Sequence, residues 1–131
     1  MTNAELEATY RAYPTALNDR RLDDLVRFVH DELIYNGNTM TRRQYRDLIA
    51  GDIAAVPDLF FDAQIVVAAD DRVACRILFD CTPQREFLGF SPGDQRLTFA
   101  EHVFYDFRDG RIAAVSSLID RYTIQEQLSR H

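Results

Sequence analysis

The strongest constraint on the fold of this chain is the order of its hydrophobic patterns, which are helical first and strand-like afterwards. Before Pro57, apolar residues recur every three or four positions, which is typical of amphipathic helices. Helices that precede consecutive strands favour an α+β domain, with three N-terminal helices packed on a curved, mostly antiparallel sheet. The strand-like segments are rich in β-branched and aromatic residues, and they span 59–69, 72–81, 97–107 and 111–119.

The residues at the ends of the helical segments indicate where each helix begins and ends. Thr2 and Thr41 each begin a capping box with a Glu or Gln three positions later, so we expect helices to begin there. A second, shorter helix is predicted over 22–29, where leucines and valines share one face. Pro14 predicts a kink or break in the first helix, and Pro57 predicts the end of the third.

Turn-forming residues divide the rest of the chain. Asp109-Gly110 lies between two strand-like segments and is a strong signal for a tight hairpin. A short strand is predicted over 33–36, where an Asn-Gly turn follows. The segment 83–95 is predicted to be a long irregular connection, and 125–130 a closing helical turn.

Length, charge and residue usage restrict the organisation and the function. A chain of 131 residues without internal repeats or linkers predicts one domain over 1–131. A formal net charge of −6 without a basic cluster excludes nucleic acid and anionic membrane surfaces as main partners. All 15 basic residues are arginines, so Schiff-base catalysis through a lysine amine is impossible.

Cysteine and histidine usage argues against disulfide and metal sites. Cys75 and Cys81 lie in one predicted strand, about 20 Å apart at the usual strand rise, so they cannot pair and are expected to be core thiols. The histidines lack the spacing of metal ligands, and no phosphate-binding glycine loop is present, so we expect no metal and no cofactor. Without a signal-peptide pattern or an apolar stretch of about 20 residues, a cytoplasmic location is expected.

Four segments carry a family resemblance: 28–45 (FVHDELIYNGNTMTRRQY), 86–92 (EFLGFSP), 104–112 (FYDFRDGRI) and 120–128 (DRYTIQEQL). In this order they resemble the SnoaL-like polyketide cyclases, a branch of the NTF2-like superfamily. The resemblance implies a cone-shaped fold around a small-molecule pocket, a homodimer, and aldol ring closure without metal or cofactor. It also implies that the acid/base aspartate is Asp120.

Three positions depart from the pattern of the family. Thr82-Pro83 stands where many relatives have Thr-His, and Ile119 stands where relatives often have tryptophan. Val103 occupies a position at which many relatives have histidine. The substrate therefore need not be one that the family is known to use.

Strand alternation predicts which side chains of the Asp109-Gly110 hairpin share a face. If these two residues form the turn, Arg108 lies opposite Arg111 and the other pairs follow outward. One face is then mostly apolar, so we expect it to be buried and to line the pocket. Its predicted pairs are Phe107–Ile112, Tyr105–Ala114, Val103–Ser116, Glu101–Leu118 and Phe99–Asp120.

In this register, Glu101 and Asp120 are two carboxylates placed diagonally on an apolar wall, about 7–8 Å apart. That separation is too large to share a proton, but burial and repulsion would raise both pKa values. The family resemblance makes Asp120 the predicted general acid/base, and Glu101, or an inward Asn36, is predicted to stabilise the enolate. The simpler alternatives are that Asp120 caps the following turn and that Glu101 is solvated at the surface.

The remaining pocket candidates lie on several elements. By alternation, either Tyr35 or Asn36 points inward, although Asn36 also suits a turn, and core packing explains Tyr13 equally well. The expected ligand is small and apolar or polyketide-like. The predicted substrate-binding residues are Asn36, Tyr35, Tyr13, Phe99, Val103, Ser116 and Leu118.

These residues leave two main functions open. One is a cofactor-independent cyclase or isomerase that acts on a small ketone or ester in an enclosed apolar pocket, and the other is a non-catalytic protein that binds a small molecule. A subunit that serves only for assembly is a third alternative. A homodimer is predicted through the mixed face of strand 72–81, formed by Ala74, Arg76, Leu78 and Asp80.

Overall fold

The computed structural model describes residues 1–130 and combines four α-helices with one six-stranded sheet. The α+β prediction is therefore confirmed. The helices are α1 (Asn3–Asn18), α2 (Leu25–Phe28), α3 (Arg42–Ala55) and α4 (Arg121–Ser129). The strands are β1 (Val29–Tyr35), β2 (Asn38–Thr41), β3 (Asp62–Ala69), β4 (Arg72–Cys81), β5 (Leu97–Arg108) and β6 (Arg111–Ile119).

Both predicted capping boxes form. The hydroxyl of Thr2 accepts a hydrogen bond from the Glu5 amide at 3.1 Å, and that of Thr41 accepts one from the Gln44 amide at 3.1 Å. α1 continues through Pro14 as one helix, so the predicted break does not occur. A proline removes one intrahelical hydrogen bond, but the helix continues across this position, where the side chain of Pro14 is buried.

The short elements differ most from the prediction. A 3₁₀ turn over Leu22–Asp24 and the single turn of α2 replace the helix predicted over 22–29. β2 was not predicted, because its mostly polar residues show no alternation. It pairs with β1 across a turn in which Asn36 and Gly37 have φ angles of 47° and 82°, as the tight hairpin turn requires.

The strands lie in the order β2-β1-β6-β5-β4-β3. β1 and β6 run parallel, and the other neighbouring pairs run antiparallel. Register shifts interrupt the pairing of β1 with β6, of β3 with β4 and of β5 with β6. Such irregularities bend strands and increase their twist, so the sheet curves around α1 and α3.

The two faces of β4 show how the sheet divides the core from the convex surface. One face is buried under the helices and the other is partly exposed, as predicted. Cys75 and Cys81 are buried free thiols, which confirms their predicted place in the core. The buried face carries Val73, Cys75, Ile77, Phe79 and Cys81, and the partly exposed face carries Ala74, Arg76 and Leu78.

Candidate functional site

A cavity of about 120 Å³ lies between the concave face of the sheet and the helices α1 and α3. Nine of its 20 lining residues are aromatic, and two are acidic. Aromatic walls favour a planar apolar ligand, and carboxyl groups can exchange protons with it. The aromatic residues are Tyr10, Tyr13, Tyr35, Tyr45, Phe61, Phe79, Phe87, Phe99 and Tyr105, and the acidic ones are Asp52 and Glu101.

The pairing of β5 with β6 differs from the predicted register by one residue. The first two pairs beyond the turn form as predicted, but Asp106 then lies opposite Ala114. Ala113 is the additional residue of a bulge, and a shift by one residue moves every later side chain to the other face. The predicted pairs Val103–Ser116 and Glu101–Leu118 are thereby replaced by Val103–Ser117 and Glu101–Ile119.

This shift places Ser116, Leu118 and Asp120 outside the cavity, so their predicted position on its wall is wrong. Ser116 is exposed, and Leu118 is 75% exposed on the convex face of the sheet. Val115 and Ile119 line the cavity instead.

Asp120 caps α4. Its carboxylate accepts hydrogen bonds from the Thr123 amide at 3.1 Å and from the Thr123 hydroxyl at 2.6 Å. These bonds hold the pKa of Asp120 below its ordinary value, which suits a carboxylate that remains ionised. The capping alternative is therefore the one that the geometry favours, and a catalytic role of Asp120 stays a prediction.

Glu101 lies on β5 with its side chain directed into the cavity. The hydroxyl of Ser117, on the adjacent strand, donates a hydrogen bond to its carboxylate. Burial raises the pKa of Glu101, and the nearby charge of Asp52 raises it further, while the bond from Ser117 opposes both. Glu101 is therefore a carboxyl group of raised pKa among apolar side chains, which can exchange a proton with a ligand in the cavity.

Asp52 supplies the second carboxyl group of the cavity, from α3. Tyr45, Ile49 and Asp52 follow one another at helical spacing and all line the cavity. Burial raises the pKa of Asp52 from its ordinary value of 3.8 to about 6. Sequence reasoning missed this residue, although an acidic side chain on the core-facing stripe of a helix is a signal that could have found it.

A hydrogen-bonded pair of tyrosines lies in the same cavity. The hydroxyl groups of Tyr13 and Tyr45 are 2.6 Å apart. Burial raises the pKa of both, so both stay protonated. Each hydroxyl carries one proton and their bond uses one, so the pair retains a proton that can be donated to a ligand. Tyr10 adds a buried hydroxyl that has no hydrogen-bond partner among residues 1–130.

Tyr35 and Asn36 occupy different environments at the end of β1. The Tyr35 side chain lines the cavity, which answers the question that alternation left open. The Asn36 side chain accepts a hydrogen bond from the Ser117 backbone amide at 2.7 Å, and the backbone N–H of Asn36 donates to the Val115 carbonyl at 2.9 Å. Asn36 therefore holds the strand that carries Ser117, and does not contact the cavity itself.

The two remaining predicted residues lie on β5. Phe99 lines the cavity, and its ring packs 5.3 Å from that of Phe79. Val103 is 1% exposed and belongs to the core rather than to the cavity wall. Ser117 was not predicted, because the predicted register, which has no bulge, directs its side chain outward.

Two further findings concern the residues that the structure describes. Within 1–130, no group of three or more histidine, cysteine, aspartate or glutamate side chains is arranged to hold a metal ion. Among the helices described, none combines the length and the apolar character that crossing a membrane requires.

Comparison with protein families gives a match to the SnoaL-like polyketide cyclases over residues 7–128. The chain belongs to this family. A solved SnoaL-like polyketide cyclase from Agrobacterium tumefaciens is 41% identical in sequence and has a TM-score of 0.91. The match covers 94% of this chain and 97% of that one. No curated protein matches the chain.

Two further solved structures share the fold of this SnoaL-like protein. AclR from Streptomyces galilaeus, a candidate hydroxylase, is 25% identical over 99% of both chains, with a TM-score of 0.82. IdmH from Streptomyces antibioticus, a candidate polyketide cyclase, is 22% identical over 95% of this chain and 98% of its own, with a TM-score of 0.82. At the identity of IdmH the likeness concerns the fold alone. The predicted family and the predicted cone-shaped fold are both confirmed.

Proposed function

We propose that this SnoaL-like protein is a cofactor-independent acid/base enzyme that acts on a small ketone or ester, with Glu101 as its general base. The position of Glu101 is the observation that carries the proposal. Its carboxyl group faces an aromatic cavity and accepts a hydrogen bond from Ser117. Membership of a family of polyketide cyclases supports a carbonyl compound as the substrate.

The chemistry begins with a proton transfer. The Glu101 carboxylate takes a proton from the carbon beside the carbonyl group, and the C–H electron pair forms an enolate whose charge lies on the carbonyl oxygen. The spare proton of the Tyr13–Tyr45 pair is available to donate a hydrogen bond to that oxygen. In an isomerase, the Glu101 carboxylic acid then returns the proton to another carbon. In an aldol cyclase, the enolate carbon attacks a second carbonyl group, and the resulting alkoxide takes the proton.

The test is deuterium exchange in heavy water, followed by proton NMR. With cyclohexanone and methyl acetoacetate as probes, we expect the protein to accelerate exchange of the hydrogens beside the carbonyl group. Glu101→Gln keeps the shape of the side chain but removes the base, so exchange should slow by about 10²–10⁴-fold.

Asp120→Asn is the matched control, because its carboxylate lies outside the cavity. It should exchange at the wild-type rate. Loss of exchange in Asp120→Asn with full exchange in Glu101→Gln would transfer the role to Asp120 and overturn our assignment.

The alternative function is small-molecule binding without catalysis. Burial and the charge of Asp52 both favour the protonated form of Glu101, and a protonated carboxyl donates a hydrogen bond instead of accepting a proton. Saturable binding of a ligand in the cavity, with no exchange of either probe above the rate in buffer, would favour this alternative.

We also propose that the protein forms a homodimer through the convex face of its sheet. Large apolar side chains are exposed on this face or beside it, and Arg76 of β4 lies among them. Interfaces between subunits are enriched in aromatic residues and arginine. The exposed side chains are Ile65 (55%), Val67 (58%), Phe104 (53%), Leu118 (75%) and Tyr122 (74%). β4, whose mixed face is the predicted contact, lies in the sheet between β3, which carries Ile65 and Val67, and β5, which carries Phe104.

A further inference from the structure

The cavity is small in comparison with most ligand pockets. Its volume of about 120 Å³ is close to the roughly 150 Å³ of an engineered apolar cavity that binds benzene. Pockets for drug-sized ligands measure about 300–1,000 Å³. One six-membered ring therefore fills the available space, and two fused rings exceed it.

Packing among the aromatic side chains keeps the cavity small. The rings of Tyr10 and Tyr105 lie 4.9 Å apart between their centroids, and those of Phe79 and Phe99 lie 5.3 Å apart. All four residues are at most 5% exposed. Protein interiors are close-packed, so a larger ligand would have to displace several of these rings together.

The charges in the wall restrict the ligand further. Among the described residues, those that line the cavity include no arginine or histidine, and the chain contains no lysine. The two carboxyl groups, Asp52 and Glu101, would repel a carboxylate or a phosphate.

The polar atoms of the wall can hydrogen-bond an oxygen on the ligand. The Tyr13–Tyr45 pair retains one hydroxyl proton, and Tyr10 offers a hydroxyl that has no partner among residues 1–130. Glu101 and Asp52 face the same space. The other lining side chains are mostly hydrocarbon or aromatic, which favours a ligand that carries oxygen and is otherwise apolar.

We infer that the substrate is a compound with a single six-membered ring and an oxygen substituent, such as a cyclic ketone or enone, rather than a fused polycycle or an acid. The inference rests on the proposed function only in placing the ligand beside Glu101. Binding can be measured without turnover, so the two proposals can fail separately.

The first test is a calorimetric titration with phenol, 2-naphthol and 2-hydroxyanthracene, which differ only in the number of fused rings. We expect saturable binding of phenol, at least tenfold weaker binding of 2-naphthol, and none of 2-hydroxyanthracene. Affinity that rises with ring number, or an absence of phenol binding, would overturn the inference.

A pair of neighbouring residues tests whether the cavity wall sets this limit. Phe61 lines the cavity, whereas Phe60 is 57% exposed and does not. Phe61→Ala enlarges the cavity and should raise the affinity for 2-naphthol relative to phenol by tenfold or more. Phe60→Ala should leave the ratio of the two affinities unchanged. If both variants or neither change the ratio, the cavity wall does not determine the ligand size.

A charged analogue of one ring tests the exclusion of acids. At neutral pH, benzoate should bind at least tenfold more weakly than phenol. Tight binding of benzoate would contradict this exclusion. Binding of phenol without deuterium exchange of any ketone would leave the ligand class intact and refute the enzymatic function.

Discussion

At the scale of single residues, Asp52 links the stability of the fold to the chemistry of the cavity. Burial raises its pKa from 3.8 to about 6, so folding favours the protonated form. A carboxyl group whose pKa is raised by folding contributes fully to stability at pH values below its pKa in the unfolded chain. This contribution is lost as the pH rises through its pKa in the folded protein.

We therefore expect Asp52→Asn to be more stable than the wild type at about pH 8, and equally stable near pH 4. The gain in the free energy of unfolding should be roughly 1–2 kcal/mol, because water screens part of the cost of ionising this half-buried group. Urea titrations at both pH values measure it. Asp47→Asn, at an exposed position of the same helix, should show a smaller gain; equal gains in the two variants would contradict this explanation.

The same variant should change the pH dependence of exchange. The charge of Asp52 raises the pKa of Glu101, and the base must be ionised to take a proton. In the wild type, activity should therefore fall as the pH drops through the raised pKa of Glu101. In Asp52→Asn, the midpoint of this fall should move to lower pH. An unmoved midpoint would show that Glu101 is not the group that titrates.

The Tyr13–Tyr45 pair predicts a non-additive response. After Tyr13→Phe or Tyr45→Phe, one hydroxyl and its proton remain, so we expect only a modest loss of turnover. The double variant removes both hydroxyl groups of the pair and should lose about 10²-fold in kcat, as is usual for the loss of an oxyanion donor. Tyr122→Phe, at a 74% exposed position, is the control. Additive losses in the double variant would refute a shared donor.

Several cavity residues could be predicted from the sequence, and others required the tertiary structure. Tyr13 and Phe99 follow from helical spacing and strand alternation, because each lies in an element whose boundaries were nearly correct, whereas alternation left Tyr35 and Asn36 as alternatives. Asn36 could not be assigned in this way, since its side chain bonds to the Ser117 amide of another strand. No local pattern reports such a contact.

At the scale of elements, the β5–β6 hairpin shows why the predicted wall was partly wrong. Its turn and first pairs were correct, but the bulge at Ala113 reversed the faces of the later residues. On β6, the neighbouring residues Ala113 and Ala114 are of one type, and so are Ser116 and Ser117. In either register, one residue of each pair therefore falls on each face of the sheet. Hydrophobic alternation therefore could not distinguish the two registers.

The capping role of Asp120 can be tested on α4. Asp120→Ala removes the acceptor for the Thr123 amide and should lower the free energy of unfolding by about 1 kcal/mol. Asp120→Asn keeps an oxygen at the same position and should remain within a few tenths of a kcal/mol of the wild type. Chemical denaturation of the three proteins measures this. If alanine is tolerated as well as asparagine, the cap does not stabilise the helix.

At the scale of the whole molecule, the fold was predictable because its signals are local and mutually consistent. The capping boxes, the Asp109-Gly110 turn and the alternation of β4 each specify one element, and their order specifies the α+β class. The cavity was less predictable, because its volume depends on how aromatic rings from α1, α3 and the sheet meet. The positions of these rings depend on register shifts in three strand pairs, which the sequence pattern does not reveal.

The proposed homodimer is the property that involves the largest part of the molecule. If two copies bury their convex faces against each other, Leu118 lies within the interface, and Leu118→Arg would add a buried charge beside Arg76. We expect the wild type to be dimeric by light scattering at micromolar concentration and Leu118→Arg to be monomeric with unchanged circular dichroism. Val26→Arg places the same charge at a 49% exposed position on α2, which is not among the exposed side chains of the proposed interface, and this variant should remain dimeric. A monomeric wild type would refute the homodimer, and a Leu118→Arg variant that stays dimeric would place the interface on another surface.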